Sequence, residues 1–150
     1  MKKWGNIIIH CSDSDWGCVR EIRDWHLQRG WRDIGYHFVI MNGKPVSNLY
    51  MLSLNGAIEC GRYLDGDDFV SDNEVGAHAL GYNSDSIGIC LVGKKVFTPQ
   101  QIGSLHTLIH DLQTRFGIKK ENVLGHCETE RSGGKTCPNF DVASIRNLLW

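Results

Sequence analysis

Ile7, Ile8 and Ile9 form an unbroken apolar run between Asn6 and His10, and three β-branched side chains in a row predict a short buried strand over Asn6 to His10. The pattern then changes period. Val19, Ile22 and Trp25 or His26 recur at helical spacing, with Gly30 placed to stop the chain, so a helix is expected over Val19 to Gln28. A second strand is expected at Tyr36 to Met41. Asn42-Gly43 and Asn55-Gly56 are hairpin-type dipeptides, and the Leu- and Tyr-containing segment between them reads as an extra ribbon closed by two turns. The acid-rich run from Asp65 to Glu74 reads as a solvated loop. Ser86 to Gly93 carries apolar residues on both parities, the mark of a strand buried on both faces and therefore central in its sheet. Thr98-Pro99-Gln100-Gln101 is a capping signature, and Ile102, Leu105, Ile109, Leu112 and Phe116 follow at helical spacing until Gly117 ends the helix. Val123 and Leu124 lead into a Gly-rich loop ending at Cys137-Pro138, after which Asp141 caps a helix to Leu149. No linker, repeat or low-complexity stretch interrupts this order, so one α/β domain is expected over residues 1–150.

Composition narrows the classes. The 150 residues are 41% apolar and 22% charged with only 3 Pro, which excludes coiled-coil, collagen-like and disordered chains. A formal net charge of -1 gives no field that would attract nucleic acid or anionic lipid. The longest apolar stretch, Ile87 to Val92, is far short of the ~20 residues of a spanning helix. The isoleucine run behind Lys2 and Lys3 stops at His10, too early for the apolar core of a signal peptide, so synthesis in the cytoplasm is expected, with any export by another route. For the 6 cysteines, a chain kept in a reducing compartment favours buried thiols or metal ligands over disulfides.

Several motifs lead nowhere. Gly133-Gly134-Lys135-Thr136 resembles the end of a phosphate loop, but the first Gly of that motif falls on Thr129. His106 and His110 have the spacing of a helical zinc clasp, yet Thr107 stands where the metalloprotease motif has its general base, and two half-exposed helix histidines are the plainer reading. The acidic run lacks the glycine of a calcium loop, and no Gly-x-Ser-x-Gly elbow occurs.

Three zinc-capable side chains remain where secondary structure would hold them still: His10 closes the first strand, and His126 and Cys137 bracket the late loop. Strand ends project side chains from rigid backbone toward the usual ligand crevice of α/β folds. Three protein ligands leave one tetrahedral position open, as in catalytic rather than structural zinc sites. Tyr36 at the start of a strand and Lys135, two residues before Cys137, would add a phenol and a cation able to stabilise an oxyanion. Taken singly, each has an ordinary alternative: core histidines, a buried thiol, a packed tyrosine and a solvated lysine.

Together the blocks I-I-I-H-C-S (Ile7 to Ser12), R-E-I-R-D-W-H (Arg20 to His26), G-W-R-D-I-G-Y-H-F (Gly30 to Phe38), G-A-H-A-L-G-Y-N-S-D-S-I-G-I-C-L-V-G (Gly76 to Gly93), F-T-P-Q-Q (Phe97 to Gln101), G-H-C-E (Gly125 to Glu128) and K-T-C-P-N-F-D (Lys135 to Asp141) resemble the zinc-dependent N-acetylmuramoyl-L-alanine amidases, the family of phage amidase-type lysozymes and animal peptidoglycan recognition proteins. The resemblance implies a mixed central β-sheet flanked by helices, zinc held by His10, His126 and Cys137, and catalytic assistance from Tyr36 and Lys135. It implies a substrate-binding role for His78 and a structural role for the Gly81-Tyr82-Asn83 turn. The bond cut would be the amide joining N-acetylmuramic acid to L-alanine in bacterial peptidoglycan, by a monomer of phage or prophage origin released to the wall through a partner pore. No organic cofactor, nucleic acid or membrane is implied.

The chain departs from the family pattern in two places. The stretch between His126 and Cys137 is longer than in short phage enzymes, with Arg131 to Gly134 as the extra material, and the segment between Gly43 and Asn55 reads as an insertion. A second function class is a peptidoglycan-binding protein without catalysis, against which the retained Cys137 speaks, because binding-only relatives typically lack that ligand. A third, a cytoplasmic redox or structural zinc domain, rests on the cysteine count alone.

Overall fold

The computed structural model describes residues 4–62, 70, 74–130 and 132–149. The isoleucine run forms β1 (Asn6–Cys11), and the first helical pattern forms α1 (Val19–Gln28), which buries Val19, Ile22 and His26. Cys18 at the head of α1 supplies no side-chain cap. The Glu59 carboxylate takes the Val19 N–H at 2.9 Å instead, placing an anion at the positive end of the helix.

The next strand, β2 (Phe38–Asn42), starts two residues later than expected. Asn42-Gly43 does turn the chain, with the Asn42 side chain accepting the Lys44 N–H at 3.0 Å. Asn55-Gly56 does not close a ribbon: Asn55 opens a strand of its own, β3 (Asn55–Cys60). Between the two dipeptides only a Val46 to Leu49 bridge and a short 3-10 turn at Leu52–Leu54 form. Leu49, Tyr50, Met51 and Leu52 are exposed, so no buried face rewards further pairing there.

All six residues of β4 (Ser86–Leu91) are buried, and this strand lies at the middle of the sheet. In α2 (Pro99–Phe116) both halves of the capping box at Thr98 and Gln101 are made, and Gly117 ends the helix in the left-handed region at φ 69°. Two short elements follow, β5 (Val123–Gly125) and α3 (Val142–Arg146); Asp141 caps α3, which ends at Arg146 rather than at Leu149, with Asn147 and Leu148 forming a turn. Of the acidic run, only Val70 and Glu74 lie among the described residues, and both are buried.

The sheet order is β3-β2-β4-β1-β5, with β3 antiparallel to β2 and the other neighbours parallel. One face carries Ile7, Ile9, Ile87, Ile89, Leu91 and Ile40 against Leu105, Ile109 and Leu112 of α2, each fully buried large side chain stabilising the fold by about 1.5–3 kcal/mol. On the other face Val39, Met41 and Cys90 pack against Val19 and Ile22 of α1. The alternation along β1 places His10 on this second face, opposite in parity to Ile7 and Ile9.

Candidate metal centre

His10 stands next to the last residue of β1 and is 2% exposed. His126 follows β5 at once, opening a single 3-10 turn, His126–Glu128. That turn is braced: Glu128 accepts the Gly125 N–H at 2.8 Å and forms a two-pronged ion pair with Arg146 of α3, both contacts at 2.9 Å. Cys137 is tied to β1 and to the turn after β5, its Sγ accepting the Cys11 N–H at 3.2 Å and its carbonyl accepting the Cys127 N–H at 2.8 Å. One donor atom each from His10, His126 and Cys137 lie within 4.8 Å of one another.

This geometry and donor set fit a zinc ion. His10 Nδ1 is 3.9 Å from Cys137 Sγ, close to the roughly 3.5 Å that tetrahedral angles and ordinary Zn–N and Zn–S lengths require. Burial, and then the charges of His78, His126 and Lys135, hold the His10 imidazole well below its ordinary pKa. Burial and Lys135 lower His126. Both rings are therefore neutral at neutral pH, the form that ligates a metal. Cys11 and Cys137 share a side-chain hydrogen bond, which draws Cys11 down to about 7 and, together with burial, pushes Cys137 up. Cys137 would ligate as a thiolate once a metal displaced its proton, and a soft sulfur beside two imidazoles suits zinc and disfavours calcium or magnesium.

The other expected residues gather round the same cavity of about 450 Å3, which His10, His126, Cys137, Tyr36, His78 and Lys135 all line. Tyr36 precedes β2 rather than beginning it, because the Tyr36 carbonyl accepts the Arg62 N–H at 2.9 Å in a connection outside the regular ladder. Its ring lies 5.0 Å from that of His10. Burial, followed by the nearby thiols, raises its pKa well above the ordinary phenol value, so Tyr36 is a neutral O–H donor. Lys135 is exposed on the late loop, with its N–H on the Ser132 carbonyl at 3.3 Å. His78 is 8% exposed and lies behind His10, its Nδ1 2.9 Å from His10 Nε2. The Gly81-Tyr82-Asn83 turn has a clear structural part: Asn83 Oδ1 accepts the N–H groups of His78 and Ala79 at 2.8 and 2.9 Å.

Sequence reasoning passed over Arg29 and Trp31, which form part of the cavity wall, and Ser86 and Gly88, which lie beneath His78. A glycine inside an otherwise apolar buried strand was the available signal for Gly88, since such a position admits close approach by another group. His106 and His110 belong to α2 and are not among the clustered donors.

His26 buttresses the wall. Its Nδ1 accepts the Gly35 N–H at 2.9 Å, and its ring contacts Trp31 at 4.4 Å and Tyr36 at 5.4 Å. Burial, then the positive charges of Arg29 and Arg62, lower its pKa to about 4. Between the ordinary value near 6.5 and about 4 the unfolded chain binds a proton that the folded chain refuses, so stability falls as pH falls through that window. Urea unfolding at pH 7 and pH 4.5 is expected to show a loss from this group of about 1–2 kcal/mol after allowance for solvent screening. His26→Asn, which keeps an acceptor for Gly35, should flatten that dependence; an unchanged pH slope would remove His26 as its source.

A family model described as N-acetylmuramoyl-L-alanine amidase matches residues 2–140. The endolysin of Enterobacteria phage K11 is 36% identical over 147 residues, covering 90% of this chain and 80% of that protein. Among solved structures, the N-acetylmuramoyl-L-alanine amidase LysC from Clostridium intestinale URNW superposes with a TM-score of 0.74 at 29% identity, over 97% of this chain and 85% of that one. Drosophila PGRP-LB gives a TM-score of 0.64 at 27% identity, over 92% of this chain and 76% of that one. A match that runs through His10, His126 and Cys137 and through the strands that position them leaves one assignment: the chain belongs to the N-acetylmuramoyl-L-alanine amidase family.

Proposed function

We propose that this protein is a zinc-dependent amidase that hydrolyses the bond between N-acetylmuramic acid and L-alanine in bacterial peptidoglycan. The observation that carries the reading is the His10, His126 and Cys137 cluster opening onto a cavity that Tyr36 and Lys135 also line. When bound, zinc supplies a Lewis acid and lowers the pKa of the water it holds to about 7. The residues of the chain do the rest. Tyr36, neutral and half-buried beside His10, donates a hydrogen bond from a fixed position and orients the scissile group. Lys135 places a cation where negative charge develops on the attacked carbonyl oxygen. The polar cavity walls, with Arg29 and Trp31 at the rim, receive the peptide stem. The similarity to phage endolysins supports a phage or prophage origin, with the protein made in the cytoplasm and delivered to the wall by a separate release system.

Purified cell walls test the reading. The protein should clear their turbidity and free new L-alanine amino termini, a chelator should stop both, and added zinc should restore both. Wall binding with no new amino termini would replace hydrolysis with recognition alone, the reading that the likeness to peptidoglycan recognition proteins keeps in view. Unchanged release of termini after complete metal removal would overturn the zinc mechanism.

A further inference from the structure

We infer that His78 is a positioning residue that sets the tautomer of His10 and aims its Nδ1 at the metal, rather than a group that touches substrate. The inference rests on the zinc reading above for its consequence, but its geometry stands apart from it. Three buried side chains, ending on the Tyr82 carbonyl, form a chain whose direction is set from its far end. Ser86 Oγ donates to the Tyr82 carbonyl at 2.7 Å, so its proton is committed. His78 Nε2 lies 3.3 Å from that same Oγ and 3.4 Å from the Ser86 carbonyl, and both of these atoms can only accept from it. His78 therefore carries its proton on Nε2 and leaves Nδ1 as an acceptor. The partner of that acceptor is His10 Nε2 at 2.9 Å, which must then hold the proton of its ring. The lone pair of His10 is left on Nδ1, the atom that faces Cys137 Sγ at 3.9 Å.

The backbone is shaped for this arrangement. Gly88 pairs with Ile8 across β4 and β1 and lies on the same sheet face as His10, one step along the strand. A Cβ at Gly88 would stand 2.6 Å from Cγ of His78, so only glycine leaves room for the second imidazole beneath the first. The Asn83 side chain fixes the main chain of His78 from the other side. A ligand imidazole whose remaining N–H is held by a buried acceptor keeps its ring orientation and is a stronger donor to the metal, and loss of such a partner commonly weakens metal binding about 10–100-fold.

The experiment compares the full-length protein with His78→Asn and His78→Phe. Asparagine can place a side-chain oxygen near the position of Nδ1 and keep the acceptor, whereas phenylalanine fills the space without one. Zinc affinity, read by competition with a chromophoric chelator, should fall about 10–100-fold in His78→Phe and stay within a few-fold in His78→Asn. The absorption spectrum of the cobalt-substituted protein should change in the same order. Unchanged zinc affinity in His78→Phe, with a raised KM for peptidoglycan fragments and unaltered kcat, would overturn the inference and return His78 to substrate binding. Nitrogen-15 NMR of the wild-type imidazoles gives a test that needs no variant to fold. His10 should carry a slowly exchanging proton on Nε2 with or without zinc, and a proton on Nδ1 in the metal-free protein would overturn the inference. A wild-type chain that took up no zinc but showed the Nε2 proton would overturn the zinc reading and leave the tautomer assignment standing.

Discussion

Cys137→Ala is expected to lose zinc and peptidoglycan hydrolysis together. The substitution removes the sulfur from a three-donor cluster and leaves His10 and His126 alone. Because loss of an outer partner already weakens binding about 10–100-fold, loss of a direct donor should exceed the upper end of that range. Hydrolysis should fall by at least about 10³-fold, since the open coordination position exists only while the other three are filled. Metal content after gel filtration and the rate of release of L-alanine amino termini check the two halves separately. His106→Ala is the matching control: it also deletes a zinc-capable side chain, but one on α2 whose Nε2 approaches the Leu148 carbonyl at 3.4 Å, so it should keep both metal and rate. Full hydrolysis by a zinc-free Cys137→Ala protein would sink the proposed mechanism.

The parts of the fold that were readable were those whose sequence period matches a single environment. β1, β4 and α2 are long apolar patterns buried on the expected faces, and the caps at Thr98 and Gly117 stand where their residue types require. The strand β3 escaped notice because its residues, Asn55 to Cys60, are half-exposed at a sheet edge and its first two mimic a hairpin turn. Edge strands owe their existence to a partner's unpaired backbone, here that of β2, and local pattern carries little of that information. β5 was hidden for a related reason: three residues suffice because β1 already supplies a rigid ladder.

The donor set was legible as residue types, but its assembly depends on topology. His10 and His126 come together because β1 and β5 are neighbours in parallel, with Ile9 opposite Gly125, a pairing that joins segments more than a hundred residues apart. The role of His78 was not legible, because it turns on the missing Cβ of Gly88 and the direction of the Ser86 hydroxyl, features visible only once the strands are in register.

Lys135→Ala separates the cation from the metal. Its charge is felt at both His10 and His126, lowering each pKa, which places the ammonium within electrostatic reach of the donor cluster although the residue is solvent-exposed. A cation aimed at developing negative charge contributes to the transition state more than to the bound substrate, so its removal should act on kcat. The expected result is wild-type zinc content, little change in KM and a kcat lowered by about 10²–10³-fold. Lys135→Arg should recover part of the rate, limited by the different reach and shape of the guanidinium. The connection between His126 and Cys137 bears on the outcome, because the turn from Ser132 to Lys135 must hold the ammonium against the freedom of the loop. An unchanged kcat in Lys135→Ala would show that this loop does not hold it there. The oxyanion-stabilising role would then pass to Arg29, a second cation on the cavity wall, and Arg29→Ala would be the substitution that lowers kcat.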